Sequence, residues 1–96
     1  MIRHIVFFTA KDKADIDRMR QGLLTLKDIP TARHFEIGVN GRHDALSPDA
    51  VDLVVYAEFD GPEQLAAYKA HPLYQKSIEL VRPLRDQRVA ADYEVP

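Results

Sequence analysis

Four segments of the chain show patterns of apolar side chains that are typical of β-strands. Residues 2–9 are dense in β-branched and aromatic side chains at both odd and even positions, which predicts a strand covered on both faces. Residues 33–39 and 87–95 alternate between apolar and polar side chains, so each is predicted to be a strand with one apolar face. Residues 51–60 have apolar side chains at every odd position and two more at even positions. This third strand is therefore predicted to have two partly apolar faces.

Two helices are predicted between these strands. Asp12 is a suitable N-cap for the first helix, and Pro30 ends it. The apolar residues of that helix recur at three- and four-residue steps: Ile16, Met19, Leu23 and Leu26. Residues 60–63, Asp-Gly-Pro-Glu, are typical of a helix entrance capped by the aspartate. Pro72 predicts a break in this second helix, which restarts over residues 73–81.

The order strand, helix, strand, strand, helix, strand predicts an α+β fold, the ferredoxin-like βαββαβ sandwich. Its helices pack on one face of a four-stranded antiparallel sheet, and polar residues 40–50 are predicted to form a surface loop. The other face has no cover within the chain, although four side chains with large apolar parts are predicted to point to it: Ile5, Phe7, Val54 and Tyr56. Burial contributes roughly 25 cal/mol per Å² of apolar surface, so we predict a homodimer formed sheet against sheet.

The composition narrows the class of protein. A length of 96 residues suits a single domain over residues 1–96, and 46% apolar with 29% charged residues is near the globular average. Thirteen basic and fifteen acidic residues give a net charge of -2, so neither nucleic acid nor a membrane is predicted as a partner. The chain has no cysteine, which excludes disulfides and thiolate chemistry. No export signal or membrane span is recognised, and a cytoplasmic location is expected.

Three side chains are candidates for acid–base chemistry. Tyr68 and His71 stand three residues apart, which places them on one face of a continuous helix. His4 has the same parity as Val6 and Phe8 in the first strand, and so is predicted to face the helices. A neutral imidazole is a competent base near neutral pH, and a tyrosine hydroxyl can donate to the oxygen of an enolate. This set suits proton abstraction beside a carbonyl and needs no metal or cofactor.

Structural roles are favoured over catalytic ones for the same residues. His71 before Pro72 can cap the restarted helix, and His4 can be a hydrogen-bonded core histidine. Tyr68 and Tyr74 are most often packing residues with one polar tip. A charged stretch near the C-terminus is interpreted as a solvated connection: Arg82, Arg85, Asp86 and Arg88.

The sequence also resembles the Dabb family of stress-responsive dimeric α/β barrel proteins. The resemblance covers nearly the whole chain and is carried by these segments: Met1-Ile2-Arg3-His4-Ile5-Val6-Phe7-Phe8, Ile29-Pro30, Asp52-Leu53-Val54-Val55 leading to Phe59, Tyr68-Lys69-Ala70-His71-Pro72 and Asp92-Tyr93. It implies the ferredoxin-like fold, the pairing of two sheets into a barrel, and a pocket between sheet and helices in each subunit. Some members are structural stress proteins, many have no assigned activity, and one plant member is a cofactor-independent polyketide cyclase.

The chain is similar to that cyclase in part of its site. Its His4 matches a histidine in the first strand, and the segment from Tyr68 to Pro72 matches a Tyr-x-x-His-Pro segment on the second helix. Tyr74 stands where the cyclase has its essential proton-transferring histidine. Leu53 stands where the cyclase has a further pocket histidine in its third strand.

Two functions remain open from the sequence. The first is a binder or cyclase-like enzyme for a small aromatic or polyketide-like carbonyl compound, with His71, Tyr68 and His4 as catalytic residues and Val6, Leu53 and Tyr74 as substrate contacts. The second is a non-enzymatic stress protein in which the same side chains fill the core. A cavity of several hundred Å³ would favour the first and a filled interior the second. A haem-degrading or quinol-forming monooxygenase is a third interpretation, but the haem-degrading pattern needs a tryptophan and the chain has none.

Overall fold

The computed structural model describes residues 1–47 and 50–96. Within them the principal elements are β1 (Ile2–Ala10), α1 (Ile16–Leu24), β2 (His34–Val39), β3 (Leu53–Phe59), α2 (Pro62–Ala70), α3 (Pro72–Val81) and β4 (Arg85–Glu94). Short 3-10 helices flank α1 at Lys13–Asp15 and Thr25–Asp28. Pro48 and Asp49, which belong to the predicted surface loop, lie outside the described residues.

The strands form one antiparallel sheet in the order β2-β3-β1-β4. The two long central strands pair so that His4 lies opposite Ala57, and on the other side of β1 His4 lies opposite Asp92. The register of β1 against β4 shifts between Phe8 and Ala10. This arrangement confirms the predicted α+β, ferredoxin-like sandwich.

The two predicted helix starts have different outcomes. The Asp12 side chain accepts a hydrogen bond from the Ala14 amide at 2.9 Å and caps the 3-10 turn that leads into α1. The predicted aspartate cap of the second helix is wrong, because the N-cap of α2 is Gly61, which has no side chain. The carboxylate of Asp60 instead lies 3.2 Å from the Arg33 guanidinium.

The core lies between the helices and one face of the sheet. Burial alternates strictly along β1 and β3, as expected for strands whose side chains point to opposite faces. The buried apolar residues of these strands are Ile2, Val6, Phe8 and Ala10 from β1, and Leu53, Val55, Ala57 and Phe59 from β3. Met19 and Leu23 of α1 and Val81 of α3 cover them.

A glycine lets α1 and α3 approach each other closely. A Cβ atom on Gly22 would lie 2.9 Å from Val81 Cγ2 and 3.2 Å from Leu80 Cβ. Any side chain at this position would therefore push the two helices apart. The helix pair depends on a residue whose helix propensity is about 1 kcal/mol poorer than that of alanine.

The second face of the sheet is not covered by the helices. We call it the open face, and its central side chains are Ile5, Phe7, Val54, Tyr56 and Val89. The first four are half-buried, and Val89 is 58% exposed. An apolar surface of this kind at the centre of a sheet is typical of an interface.

A buried carboxylate holds three segments together at one end of the sheet. The Asp52 side chain is fully buried. It accepts hydrogen bonds from the Ala10 amide at 2.8 Å, from the Lys13 ammonium at 2.7 Å and from the Arg42 guanidinium. Burial by itself raises the pKa of this carboxyl, but the bonds from Lys13 and Ala10 and the charge of Arg42 outweigh it and hold the pKa below its usual range.

Replacing the Asp52 carboxylate tests whether it stabilises the fold. We expect Asp52→Asn to lower the free energy of unfolding by about 1–3 kcal/mol at neutral pH, because the ion pairs with Lys13 and Arg42 are lost. The folded pKa lies below the unfolded value of about 4, so the carboxylate stabilises the fold above that pH and loses its effect as the pH falls through the folded pKa. Urea denaturation from neutral to acid pH should therefore show the wild type and the variant converging.

The matched control is Asp17→Asn, which removes an exposed carboxylate from the first turn of α1. It should shift stability by no more than about 0.5 kcal/mol at any pH. If the difference in the free energy of unfolding between Asp52→Asn and the wild type stayed constant as the pH fell, the stabilising role of the ionised carboxylate would be contradicted.

Candidate functional site

A cavity of about 330 Å³ lies between the helix-facing side of the sheet and the helices. Its apolar lining residues are Val6, Phe8, Leu23, Leu26, Val55, Ile78 and Val81. Its polar lining residues are His4, Tyr68, Tyr74 and Ser77, together with four cationic residues. A concave site that combines apolar surface with polar groups is the usual form of a small-molecule site.

A buried histidine is held by a carboxylate at this cavity. His4 is 2% exposed, and its Nδ1 lies 2.5 Å from Asp92 Oδ1. The pair arises from strand register, because His4 and Asp92 are direct neighbours across β1 and β4 and both point to the helix side. Donation from Nδ1–H to the carboxylate leaves Nε2 of a neutral ring as an acceptor. The arrangement orients an imidazole base beside the cavity.

Tyr68 lies beside this histidine within a cluster of aromatic rings. Its ring centroid is 5.0 Å from that of Phe59, 5.3 Å from that of Tyr74 and 6.0 Å from that of His4. Burial raises the pKa of the Tyr68 phenol strongly, the neighbouring Tyr74 adds to this, and Arg88 opposes it weakly. The phenol therefore stays protonated and acts as a hydrogen-bond donor.

Four cationic residues line the outer side of the cavity. We call them the cationic rim: Lys69, Arg82, Arg85 and Arg88. Arg85 is half-buried and the other three are exposed, whereas most of the remaining lining is buried. Arg88 Nη2 donates to the Tyr74 hydroxyl at 3.4 Å. The interpretation of Arg82, Arg85 and Arg88 as only a solvated connection is therefore incomplete, because all three face the cavity.

The structure brings together four of the six residues predicted for the site. His4, Val6, Tyr68 and Tyr74 line the cavity. Leu53 is fully buried in the core opposite Phe8 and does not line it.

His71 lies outside the cavity lining. Its backbone is extended, with φ -69° and ψ 141°, and its Nδ1 accepts a hydrogen bond from the Leu73 amide at 3.1 Å as the N-cap of α3. The spacing argument that paired His71 with Tyr68 assumed a continuous helix. Pro72 ends α2 before His71, so the two side chains do not share a helix face.

Sequence reasoning did not assign Asp92 or Ser77 to the site. Asp92 lies on the helix-facing side of β4, and Ser77 is buried on α3 among the lining residues. The alternation along β4 shows that Asp92 shares a face with Ala90 and Glu94, but it does not show which residue Asp92 contacts. Only the register between β1 and β4 places it on His4.

Two structural features are not found among the described residues. In residues 1–47 and 50–96, no group of three or more His, Asp or Glu side chains is arranged to hold a metal ion. The helices in those same residues are too short or too polar to cross a lipid bilayer.

The chain matches known proteins along nearly its whole length. Residues 2–95 match the model of a family described as the Stress Responsive A/B Barrel Domain. A relative, a stress-response A/B barrel domain-containing protein of Arabidopsis thaliana, is 33% identical over 97 residues, covering 97% of this chain. The match covers 36% of that relative, so the chain spans about a third of its length.

Solved structures with similar folds include proteins of different descriptions. A dimeric ferredoxin-like protein of unknown function from Thermobifida fusca YX has a TM-score of 0.81 at 26% identity, covering 98% of this chain and 90% of that chain. The hydroxynitrile lyase of Passiflora edulis has a TM-score of 0.78 at 19% identity, covering 99% of this chain and 93% of that chain. The second likeness is one of fold alone.

The capping geometry predicts that His71 stabilises the fold. We expect His71→Ala to lower the free energy of unfolding by about 0.5–1 kcal/mol, because the Leu73 amide loses its acceptor. His71→Asn should preserve stability, since asparagine is a favoured N-cap. Urea denaturation measures both, with His43→Ala in the exposed loop as the matched control. Equal stability of the alanine variant and the wild type would contradict the capping role.

Proposed function

The chain belongs to the stress-responsive A/B barrel domain family, and from that premise we propose that it is a homodimer in which each subunit binds a small aromatic or polyketide-like carbonyl compound. The binding site is the cavity between the sheet and the helices. The observation that carries the proposal is the His4–Asp92 pair beside Tyr68 on the wall of a cavity of about 330 Å³. A cavity of that size is enough for one small organic molecule.

The lining supports an aromatic or otherwise apolar ligand body. Seven of the lining residues are apolar, and the rings of Tyr68 and Tyr74 add flat surface to the cavity. Such a wall gains free energy when it excludes water, and aromatic pairs add to that gain. The space is open to solvent at the cationic rim, so a molecule can enter it. An accessible concave space of this size favours a binding role over a purely structural one.

The polar groups support proton transfer as the chemistry. In this proposal His4 Nε2 removes a proton from the carbon beside a ligand carbonyl, and Tyr68 donates a hydrogen bond to the enolate oxygen that forms. The imidazolium then returns its proton to the ligand at a second position, so the protein ends unchanged. Asp92 is a positioning residue that holds the ring through Nδ1. His71 has no part in this step, because it caps α3.

The open face supports the homodimer. Its half-buried side chains would lose contact with water only if a second surface covered them, and an identical face is self-complementary under two-fold symmetry. The relative from Thermobifida fusca, which is described as dimeric, has the same fold. Each subunit keeps its own cavity in this arrangement, since the cavity lies on the helix side of the sheet.

A charge on the open face should prevent association. We expect the wild type to have twice the subunit mass in light scattering and Val54→Glu to have the subunit mass, because Val54 lies on the open face opposite Phe7. Val39→Glu is the matched control: it is 59% exposed and lies opposite Leu53, on the other side of the sheet. A monomeric wild type at micromolar concentration would refute the dimer.

A thermal-shift screen tests the ligand site. We expect some members of a panel of alkylphenols and aryl β-diketones to raise the melting temperature of the wild type, since a ligand that binds only the folded state stabilises it. Ser77→Leu places a larger side chain in the cavity from a buried position and should remove the shift. Ile78→Phe fills the same space from a half-buried position and serves if the first variant folds poorly.

The matched control introduces leucine next to the site. Gln75→Leu changes an exposed residue of α3 that does not line the cavity, and it should keep the ligand-induced shift. Ligands that stabilise Ser77→Leu and the wild type equally would place binding elsewhere. No shift with any member of the panel would favour a non-enzymatic stress protein.

A further inference from the structure

The charged side chains that line the cavity are all positive, and the carboxylate of Asp92, which is paired with His4, lies outside the lining. Among the described residues that line it, the cationic rim supplies four positive side chains, and no aspartate or glutamate accompanies them. The whole chain has a net charge of -2, so the positive charge at the cavity is a local feature that the net charge does not show. Positive side chains around a concave, low-dielectric surface attract anions more strongly than the same charges on a flat surface.

The rim residues are not used in the ion pairs of the fold. In the described part of the chain, the pairs made by lysine and arginine involve Lys13, Arg18, Arg33 and Arg42. None of these four lines the cavity. Salt bridges therefore explain the positions of other lysine and arginine residues, but they do not explain the positions of the rim residues.

Helix electrostatics account for two members of the rim. Lys69 lies in the last turn of α2. Arg82 is the C-cap of α3, where a positive charge compensates the partial negative charge of the helix end. Arg85 and Arg88 lie on β4 and have no such role. Arg88 lies opposite Phe8 on the helix side of the sheet, and its guanidinium reaches the Tyr74 hydroxyl at the cavity wall. These two arginines are thus placed to meet a bound molecule.

We propose that the ligand of this cavity is an amphipathic carboxylate, with its anionic head at Arg85 and Arg88 and its apolar body against the inner wall. The proposal rests on the cavity being a ligand site and specifies which compounds it selects. A guanidinium binds a carboxylate through paired N–H donors, so the rim provides both charge and geometry for this head group. The rest of the lining holds apolar, hydroxyl and imidazole groups, which suit the uncharged part of the ligand.

This placement also orders the ligand relative to the acid–base groups. The carboxylate is held at the exposed side of the cavity, and the buried His4 and Tyr68 face the opposite part of the molecule. The reacting carbon of the proposed proton transfer is therefore remote from the carboxylate and not adjacent to it. Electrostatic attraction to the rim makes binding depend on ionic strength.

Calorimetric titration with a matched pair of compounds tests the head group. Hydrocinnamate and its primary amide have nearly the same shape and differ in charge. We expect wild-type protein to bind the carboxylate at least about tenfold more tightly than the amide at low salt, and the preference to shrink as salt is added. Arg85→Gln and Arg88→Gln should each lower the affinity for the carboxylate about tenfold and leave the amide unchanged. Arg88→Lys, which keeps the charge, should retain part of the preference.

Two controls separate the charge proposal from the cavity proposal. Lys76→Gln removes an exposed cation of α3 that does not line the cavity and should bind both compounds like the wild type. Ser77→Leu should bind neither compound. Equal affinity for the acid and the amide, with both lost in Ser77→Leu, would overturn the charge proposal and leave the cavity site standing. Binding of neither compound, or binding unaffected in Arg85→Gln and Arg88→Gln, would also overturn the charge proposal.

Discussion

The structure depends on the helices covering only one face of a sheet that is apolar on both. The central strands alternate side chains between the faces, so the same residues that bury Val6 and Val55 under the helices direct Phe7 and Val54 to the open face. A one-residue change of register would exchange the two sets. The helix side becomes the core and contains the cavity, and the open face is left for an external partner. Both proposed properties, ligand binding and self-association, follow from this division.

The helix layer is packed tightly at one point and loosely at another. Gly22 lets α1 contact α3 at Val81 without an intervening side chain. On the sheet side of the same helix, Ser77 and Tyr74 border a cavity of about 330 Å³. The small side chain of Ser77 contributes little volume to this space.

The two buried ionisable groups near the ends of β1 are satisfied in different ways. Asp52 is surrounded by donors from three segments and has no contact with the cavity, which makes it a structural group. His4 has one carboxylate partner, Asp92, and borders open space. A buried polar group that keeps one face toward a cavity can exchange a proton or a hydrogen bond with a ligand, whereas a fully coordinated one cannot. By this criterion His4 belongs to the candidate site, and Asp52 belongs to the structural framework.

Sequence periodicity determined the element order, the two faces of the central strands β1 and β3 and the break before Pro72, because each depends on neighbours within a few residues. It also identified His4 and Tyr68 as helix-side polar residues, but it paired Tyr68 with His71 by assuming an unbroken helix. The partner of His4 and the orientation of Arg88 needed the tertiary structure, since strand register joins residues about ninety positions apart. The cavity was likewise decided in three dimensions: an unfilled volume is a property of how several elements pack, and no local pattern of residues encodes it.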